Sequence, residues 1–364
     1  MANYLKQFKL PDPFDFHRGG SISHGLLAYE TWGELNADGS NAILLLNGLS
    51  ADSHAASHGD NDTAGWWEFM VGPNKAVNSN KWFVICASSL GSCKGSTGPC
   101  SQNPKTGEPY RFDFPDLCIE DIAEAAFLLC QSLGIQRLHS IIGPSMGGMT
   151  ALALLLNHPN YARNLIHIAS SLASPPFSTA IRSLQREAIL KDVNFNQGHY
   201  SADAWPEEGM KFARKIGMLS YRSADEWVER FPRSLKKIPA QAFGVEFPVE
   251  SYLEYHANQF IHKFDPISYL YLSRAMDWFD GHSYANKGDN PLNAVSLEKA
   301  LIIGAETDLL FPKALQEELN DFLNKTDCDS ELKITESIQG HDAFLVDKDR
   351  FSQLVGDFLK ANQF

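Results

Sequence analysis

The chain has 364 residues, 44% hydrophobic and 21% charged, enough apolar material for a large core with an inserted subdomain. Its formal net charge of −13 argues against nucleic acid or an anionic membrane as a partner. The start, Met1 to Lys6, lacks the apolar stretch of a secretion signal, no apolar run approaches membrane-spanning length, and the six cysteines form no zinc-like pairs, so a cytoplasmic protein with reduced thiols is expected.

Residues 1–40 read as an opening hairpin region, and Asn41 to Leu46 as a buried strand that runs into Asn47-Gly48-Leu49-Ser50. His54, His58, Asp60 and Asp62 follow in a turn-rich stretch that cannot hold helical ligand spacing; a solvated loop is expected, with no metal. Trp82 to Ala87 reads as a strand and Ile119 to Leu133 as an amphipathic helix. Leu138 to Ile142 is a third core strand. It ends in Gly143-Pro144-Ser145-Met146-Gly147, and a helix follows through Leu156. Leu165 to Ala169 is the next strand. After Ser174-Pro175-Pro176 the pattern turns helical, aromatic and charged until about Val295, and Leu297 to Gly304 then resumes the strands. Alternation of this kind predicts an α/β fold with a mostly parallel sheet and helices on both faces. The expected division is a core of residues 1–174 and 296–364 with a helical lid at 175–295.

A strand, Gly-x-Ser-x-Gly and a helix in that order make the setting of a nucleophile elbow. The tight turn needs small neighbours, lifts the Ser145 hydroxyl clear, and aims the Met146 N–H at the same point. A nucleophilic serine needs a base and a group to orient it, and in this arrangement they follow in the order acid, then histidine. Asp308 lies just past the strand ending at Gly304, and His341 lies in the loop after the weaker strand Leu332 to Thr335. Glu306 competes for the acid role but lies nearer its strand. A second oxyanion donor is expected from the loop after Leu46, at the Leu49 amide.

These segments, with Tyr29-Glu30-Thr31-Trp32-Gly33, Asp52-Ser53-His54-Ala55, Gly65-Trp66-Trp67, the run from Leu90 to Pro99, Asn103-Pro104-Lys105-Thr106-Gly107 and Gly340-His341-Asp342, resemble the homoserine O-acetyltransferase family of the α/β-hydrolase superfamily over nearly the whole chain. Pro144 and Thr150 at the elbow, Ser92 before Cys93, and Asn47-Gly48 depart from the family's usual pattern and look closest to its L-serine O-succinyltransferase branch. The resemblance implies acyl transfer from succinyl-CoA or acetyl-CoA to the side-chain hydroxyl of L-serine or L-homoserine. It implies no permanently bound cofactor, and it implies a homodimer formed through the lid. It places Arg186 on the acceptor's carboxylate and Asp342 on its ammonium. Arg182, four residues before Arg186 and on the same helical face, is the candidate for a succinyl carboxylate. An esterase or thioesterase with the same triad is the competing expectation, and a catalytically inactive binding protein a third.

Overall fold

The computed structural model describes residues 4–59, 63–234 and 244–363. An eight-stranded sheet forms its centre: β1 (Lys6–Lys9), β2 (Leu26–Trp32), β3 (Ala42–Leu46), β4 (Phe83–Ala87), β5 (Leu138–Pro144), β6 (Ala162–Ile168), β7 (Lys299–Ala305) and β8 (Asp329–Thr335). The strand order is β1-β2-β4-β3-β5-β6-β7-β8. The first two pairings, β1 with β2 and β2 with β4, are antiparallel, and every later one is parallel.

Strand composition explains the sheet. β3 and β5 are buried at every position, as expected of parallel strands covered on both faces. Along β3, Leu44 and Leu46 enter one core, while Ile43 and Leu45 enter the other. The first core is covered by helices α1 (Ile119–Ser132), α2 (Met146–Asn157) and, beyond the insertion, a helix at Lys313–Leu323. The second is covered by the C-terminal helix at Lys348–Ala361, through Phe351, Val355 and Phe358, and by Trp67. Edge strand β1 is mostly exposed and alone carries two lysines, which discourages pairing with another chain.

Between β6 and β7 the chain leaves the sheet, and the described residues there form five α-helices: α3 (Pro176–Leu190), α4 (Glu207–Tyr221), α5 (Ala224–Arg230), α6 (Pro248–Phe260) and α7 (Pro266–Trp278). Helix α3 packs on α4 and α7, and α4 packs on α6. Polar contacts seat this group on the core: Ser178 Oγ donates to the Leu310 carbonyl at 2.5 Å, and Tyr271 OH donates to the Phe114 carbonyl at 2.8 Å. Among the described residues no helix is long and apolar enough to cross a membrane.

Candidate active site

β5 delivers Ser145 at the carboxyl end of the sheet, in a backbone conformation (φ 54°, ψ −123°) that is costly for any residue with a side chain. Close packing sustains it. A Cβ on Gly143 would overlap the Gly147 backbone, and one on Gly147 would overlap the Leu46 carbonyl oxygen, so both positions must be glycine. The same approach sets the first turn of α2 against the end of β3, and Gly48 and Leu49 line the cavity that contains Ser145. The Ser145 N–H donates to the Ile168 carbonyl at 2.9 Å, which ties the turn to β6. Met146, the first residue of α2, is fully buried beside it.

Asp308 and His341 come from the turns after β7 and β8. His341 Nε2 lies 2.9 Å from Ser145 Oγ, and His341 Nδ1 lies 2.9 Å from Asp308 Oδ2. The other carboxylate oxygen of Asp308 accepts the Leu310 and Phe311 N–H groups at 2.8 and 3.0 Å, so the acid is fixed before it meets the ring. Thr307 Oγ1 accepts the Gly340 N–H at 3.1 Å and donates to the Ser337 carbonyl at 2.6 Å, which locks the histidine loop to the aspartate turn. Burial opposes a charge on His341. The Asp308 carboxylate outweighs it and holds the imidazole above its ordinary pKa, with Asp342 adding to the effect. Glu306 instead faces solvent, with Lys313 at 4.0 Å.

A cavity of about 360 Å³ opens above Ser145, lined among others by Leu49, Trp66, Arg214, Tyr221, His341 and Asp342. Asp342 pairs with Arg222 at 3.2 Å. Burial raises its carboxyl pKa above the ordinary value despite the neighbouring Arg222, His341 and Arg214 charges. The expected acceptor cation is displaced, however. Arg186 does not line this cavity, because its Nη1 is held by Asp277 Oδ2 at 2.6 Å. Arg182 meets the other oxygen of Asp277 through Nε at 2.7 Å and donates to Ser174 Oγ at 2.6 Å. Helical spacing does place the two arginines on one face, but an aspartate from α7 sits there to receive both. Among the described residues, the guanidinium that lines the cavity is that of Arg214 of α4. It stacks over Phe260 at 4.9 Å, and its buried Nε has no hydrogen-bond partner. The sequence carried a signal for it: Met210, Ala213 and Gly217 form the buried stripe of α4, and Arg214 stands beside that stripe.

The histidines of the turn-rich stretch also depart from expectation. His54 and His58 are not solvated; both reach the nearly buried carboxylate of Glu30, at 2.9 and 2.8 Å. Asp60 and Asp62 lie outside the described residues. Glu30, His54 and His58 form the only described trio of metal-capable side chains with ligand atoms within 4.8 Å of one another, and these atoms already hydrogen-bond among themselves.

Residues 41–348 match the alpha/beta hydrolase fold family. The chain is 56% identical to a serine O-succinyltransferase of Stenotrophomonas maltophilia strain K279a, over 97% of this chain and 96% of that one. This chain belongs to the α/β-hydrolase family, in the branch of the serine O-succinyltransferases. A crystal structure of homoserine O-acetyltransferase from Bacillus anthracis superimposes with a TM-score of 0.90 at 29% identity, covering 98% of each chain. The crystal structure of esterase E22 gives 0.87 at 27%, covering 98% of this chain and 99% of that one. Acyltransferases and an esterase thus share this scaffold, and what separates them is how the site treats the second nucleophile.

Proposed function

We propose that this member of the acyltransferase family moves a succinyl group from succinyl-CoA to the hydroxyl of L-serine through a covalent acyl-Ser145 intermediate. The observation that carries the reading is Arg214, a guanidinium whose buried Nε is unpartnered and which no carboxylate among the described residues binds, in one cavity with Ser145, His341 and Asp342. Water needs no such cation. A zwitterionic amino acid does: Arg214 takes its carboxylate and Asp342 its ammonium, with the side-chain hydroxyl between them at Ser145.

The chemistry follows in two halves. His341 removes the Ser145 proton as Oγ attacks the thioester carbonyl, and the Met146 and Leu49 amides donate to the developing oxyanion. The C–S bond breaks, and His341 gives its proton to the departing CoA sulfur. The serine hydroxyl then attacks the acyl carbonyl as His341 takes its proton, and that proton returns to Ser145 Oγ as the enzyme ester breaks. Asp308 orients the imidazole throughout. Since His341 works as a base, kcat/KM is expected to fall as the ring becomes protonated. The raised pKa puts the acid limb of the pH–rate profile above the ordinary histidine value of 6.5, and Asp308→Asn should move it downward.

The donor reading rests on Arg182. Two guanidinium groups share the single carboxylate of Asp277, which leaves one net positive charge. Arg182 lines a narrow recess beside Ser145 with Gln185, Tyr269 and Phe311. A succinyl chain reaching into it presents its free carboxylate to that charge; an acetyl group has nothing to present. Arg182→Ala is expected to lower kcat/KM for succinyl-CoA about 30-fold or more relative to acetyl-CoA, the loss typical of a broken buried charge pair. An unchanged ratio would sink the assignment.

The deciding experiment is a matrix of initial rates, acetyl-CoA or succinyl-CoA against L-serine or L-homoserine, following thiol release and ester formation. Highest kcat/KM for succinyl-CoA with L-serine supports the proposal. A homoserine preference moves the enzyme to the homoserine O-acyltransferase alternative, and thiol release indifferent to any amino acid makes it a thioesterase. Succinyl-CoA is a cosubstrate rather than a resident cofactor. An acyl-CoA donor and six free cysteines accord with a cytoplasmic setting. A homodimer is supported by apolar positions seven apart on two adjoining helices, Phe177 and Leu184 of α3 and Phe212 and Leu219 of α4, all at least half exposed. Sedimentation at twice the chain mass would bear it out.

A further inference from the structure

Two segments that carry the family resemblance, Tyr29–Gly33 and Asp52–Ala55, contribute nothing to the two half-reactions. They meet behind the loop that lines the cavity. There His54 makes two side-chain contacts: Nδ1 lies 2.9 Å from Glu30 Oε2, and Nε2 lies 3.0 Å from the Thr63 carbonyl oxygen. A backbone carbonyl only accepts, and an ionised carboxylate only accepts. A neutral imidazole has one N–H, so it could serve one of these oxygens and would turn a lone pair on the other. Both contacts are satisfied together only when both ring nitrogens carry hydrogen.

The surroundings suit that charge. Glu30 Oε2 also receives His58 Nε2 at 2.8 Å, and a single oxygen accepting from two rings behaves as a carboxylate. His58 is fixed by stacking on Tyr4 at 4.0 Å and on Trp32 at 4.9 Å. Asp52 lies in the turn before His54, and its carboxylate Oδ1 accepts the His54 N–H at 3.0 Å. From β4, the Cys86 thiol approaches the Asp52 carbonyl at 3.8 Å; burial pushes its pKa far up, so it adds no charge. Burial opposes the positive ring of His54, yet the Thr63 carbonyl and Glu30 outweigh it and hold its pKa above 6.5.

The clamp reaches the site through a short path. The Asp52 carbonyl accepts Asn47 Nδ2 at 2.9 Å and Trp66 Nε1 at 3.1 Å. Asn47 Nδ2 also donates to the Ala87 carbonyl at 3.0 Å, and Ser89 Oγ donates to Asn47 Oδ1 at 2.9 Å. Gly48 to Ala51, which face Ser145 across the cavity, are therefore fixed at one end by Asn47 and at the other by Asp52 and His54. We propose that His54 is a positioning residue held as an imidazolium, whose two-sided clamp between β2 and Thr63 keeps the Leu49 amide aimed at the oxyanion. The consequence for rate rests on the Leu49 role given above; the protonation state does not.

The sign is fixed. A ring whose pKa is raised by folding supports the loop at low pH, and the support is lost as pH rises through the folded-state value. On histidine-¹⁵N-labelled protein, two-bond nitrogen–proton correlation followed across pH is expected to show both His54 nitrogens predominantly protonated at pH 6.5, with the loss of one proton only above that value; a ring predominantly neutral at pH 6.5 would overturn the proposal. His54→Gln, which keeps one donor, is expected to lower kcat about 10- to 100-fold, the scale of a displaced rather than deleted donor. KM for the acceptor should stay near the wild-type value, and the variant should lose the alkaline limb that His54 gives the wild type. Glu30→Gln is the second variant should His54→Gln fold poorly: kcat should fall likewise, and the alkaline limb should move to lower pH together with a lower His54 pKa by NMR. A fall in Tm with wild-type kcat and an intact alkaline limb would make His54 merely structural and overturn the proposal. Were the acyltransferase reading itself to fail, thiol release would be absent or indifferent to amino acids, while the nitrogen spectrum would still report the clamp.

Discussion

Ser145→Ala is expected to lower kcat about 10⁴- to 10⁶-fold with both acyl-CoA donors, while the folded state persists. The magnitude is that of removing the nucleophile from a triad whose members act as one unit. Alanine brings no larger penalty at this position than serine, because both carry a Cβ at the same left-handed φ of 54°. The measurement is a single-turnover thiol burst with succinyl-CoA alone. The wild type should release about one equivalent of CoA and retain the succinyl group on Ser145, identified by the mass of its peptide, whereas the variant should release none. A burst that survives in Ser145→Ala would remove the covalent mechanism and, with it, the ping-pong order.

Arg214→Ala is expected to separate the two half-reactions. Acylation of Ser145 needs no amino acid, so the thiol burst should remain. Transfer to L-serine should lose about 30- to 1000-fold in kcat/KM, the range for deleting one partner of a desolvated charge pair. Arg214→Lys should recover only part of this, since an ammonium lacks the planar fork that grips a carboxylate. Equal loss in both halves would show that Arg214 supports the cavity wall rather than the acceptor. Arg186→Ala gives the contrast. Its guanidinium is bound to Asp277 outside the cavity, so its direct effect on acceptor binding should be small beside that of Arg214.

The elements that carry this site differ in how far the chain alone reveals them. β3 is an uninterrupted apolar run, β5 carries Ile141 and Ile142 into the Gly143–Gly147 turn, and that turn lies between a strand and a helix, so local pattern and local sterics place Ser145 without reference to the rest of the molecule. Asp308 and His341 are legible through order and loop position, because parallel strands deliver their following loops to one end of the sheet. Arg214 is different. Amphipathic spacing marks the inward stripe of α4, but which core the stripe faces depends on α3 and α6, with which α4 packs. Arg182 and Arg186 show the converse case. Their spacing on one helical face is correct, and Asp277, about ninety residues downstream, decides that both are bound.

The same division holds for the histidines near residue 54. A turn-rich sequence reads as solvated because it lacks periodicity. Burial there comes instead from Glu30 on β2 and from the rings of Tyr4 and Trp32, and none of these is a local neighbour.

By itself the sequence determined the sheet, the elbow and the order of nucleophile, acid and base, since each follows from hydrophobic period, from glycine where no Cβ fits, or from chain order. Only the tertiary structure decided which charges are bound and which remain open. Ion pairing depends on distance in space, and two groups tens of residues apart in the chain can cancel or complete one another only after folding brings them within a few ångströms.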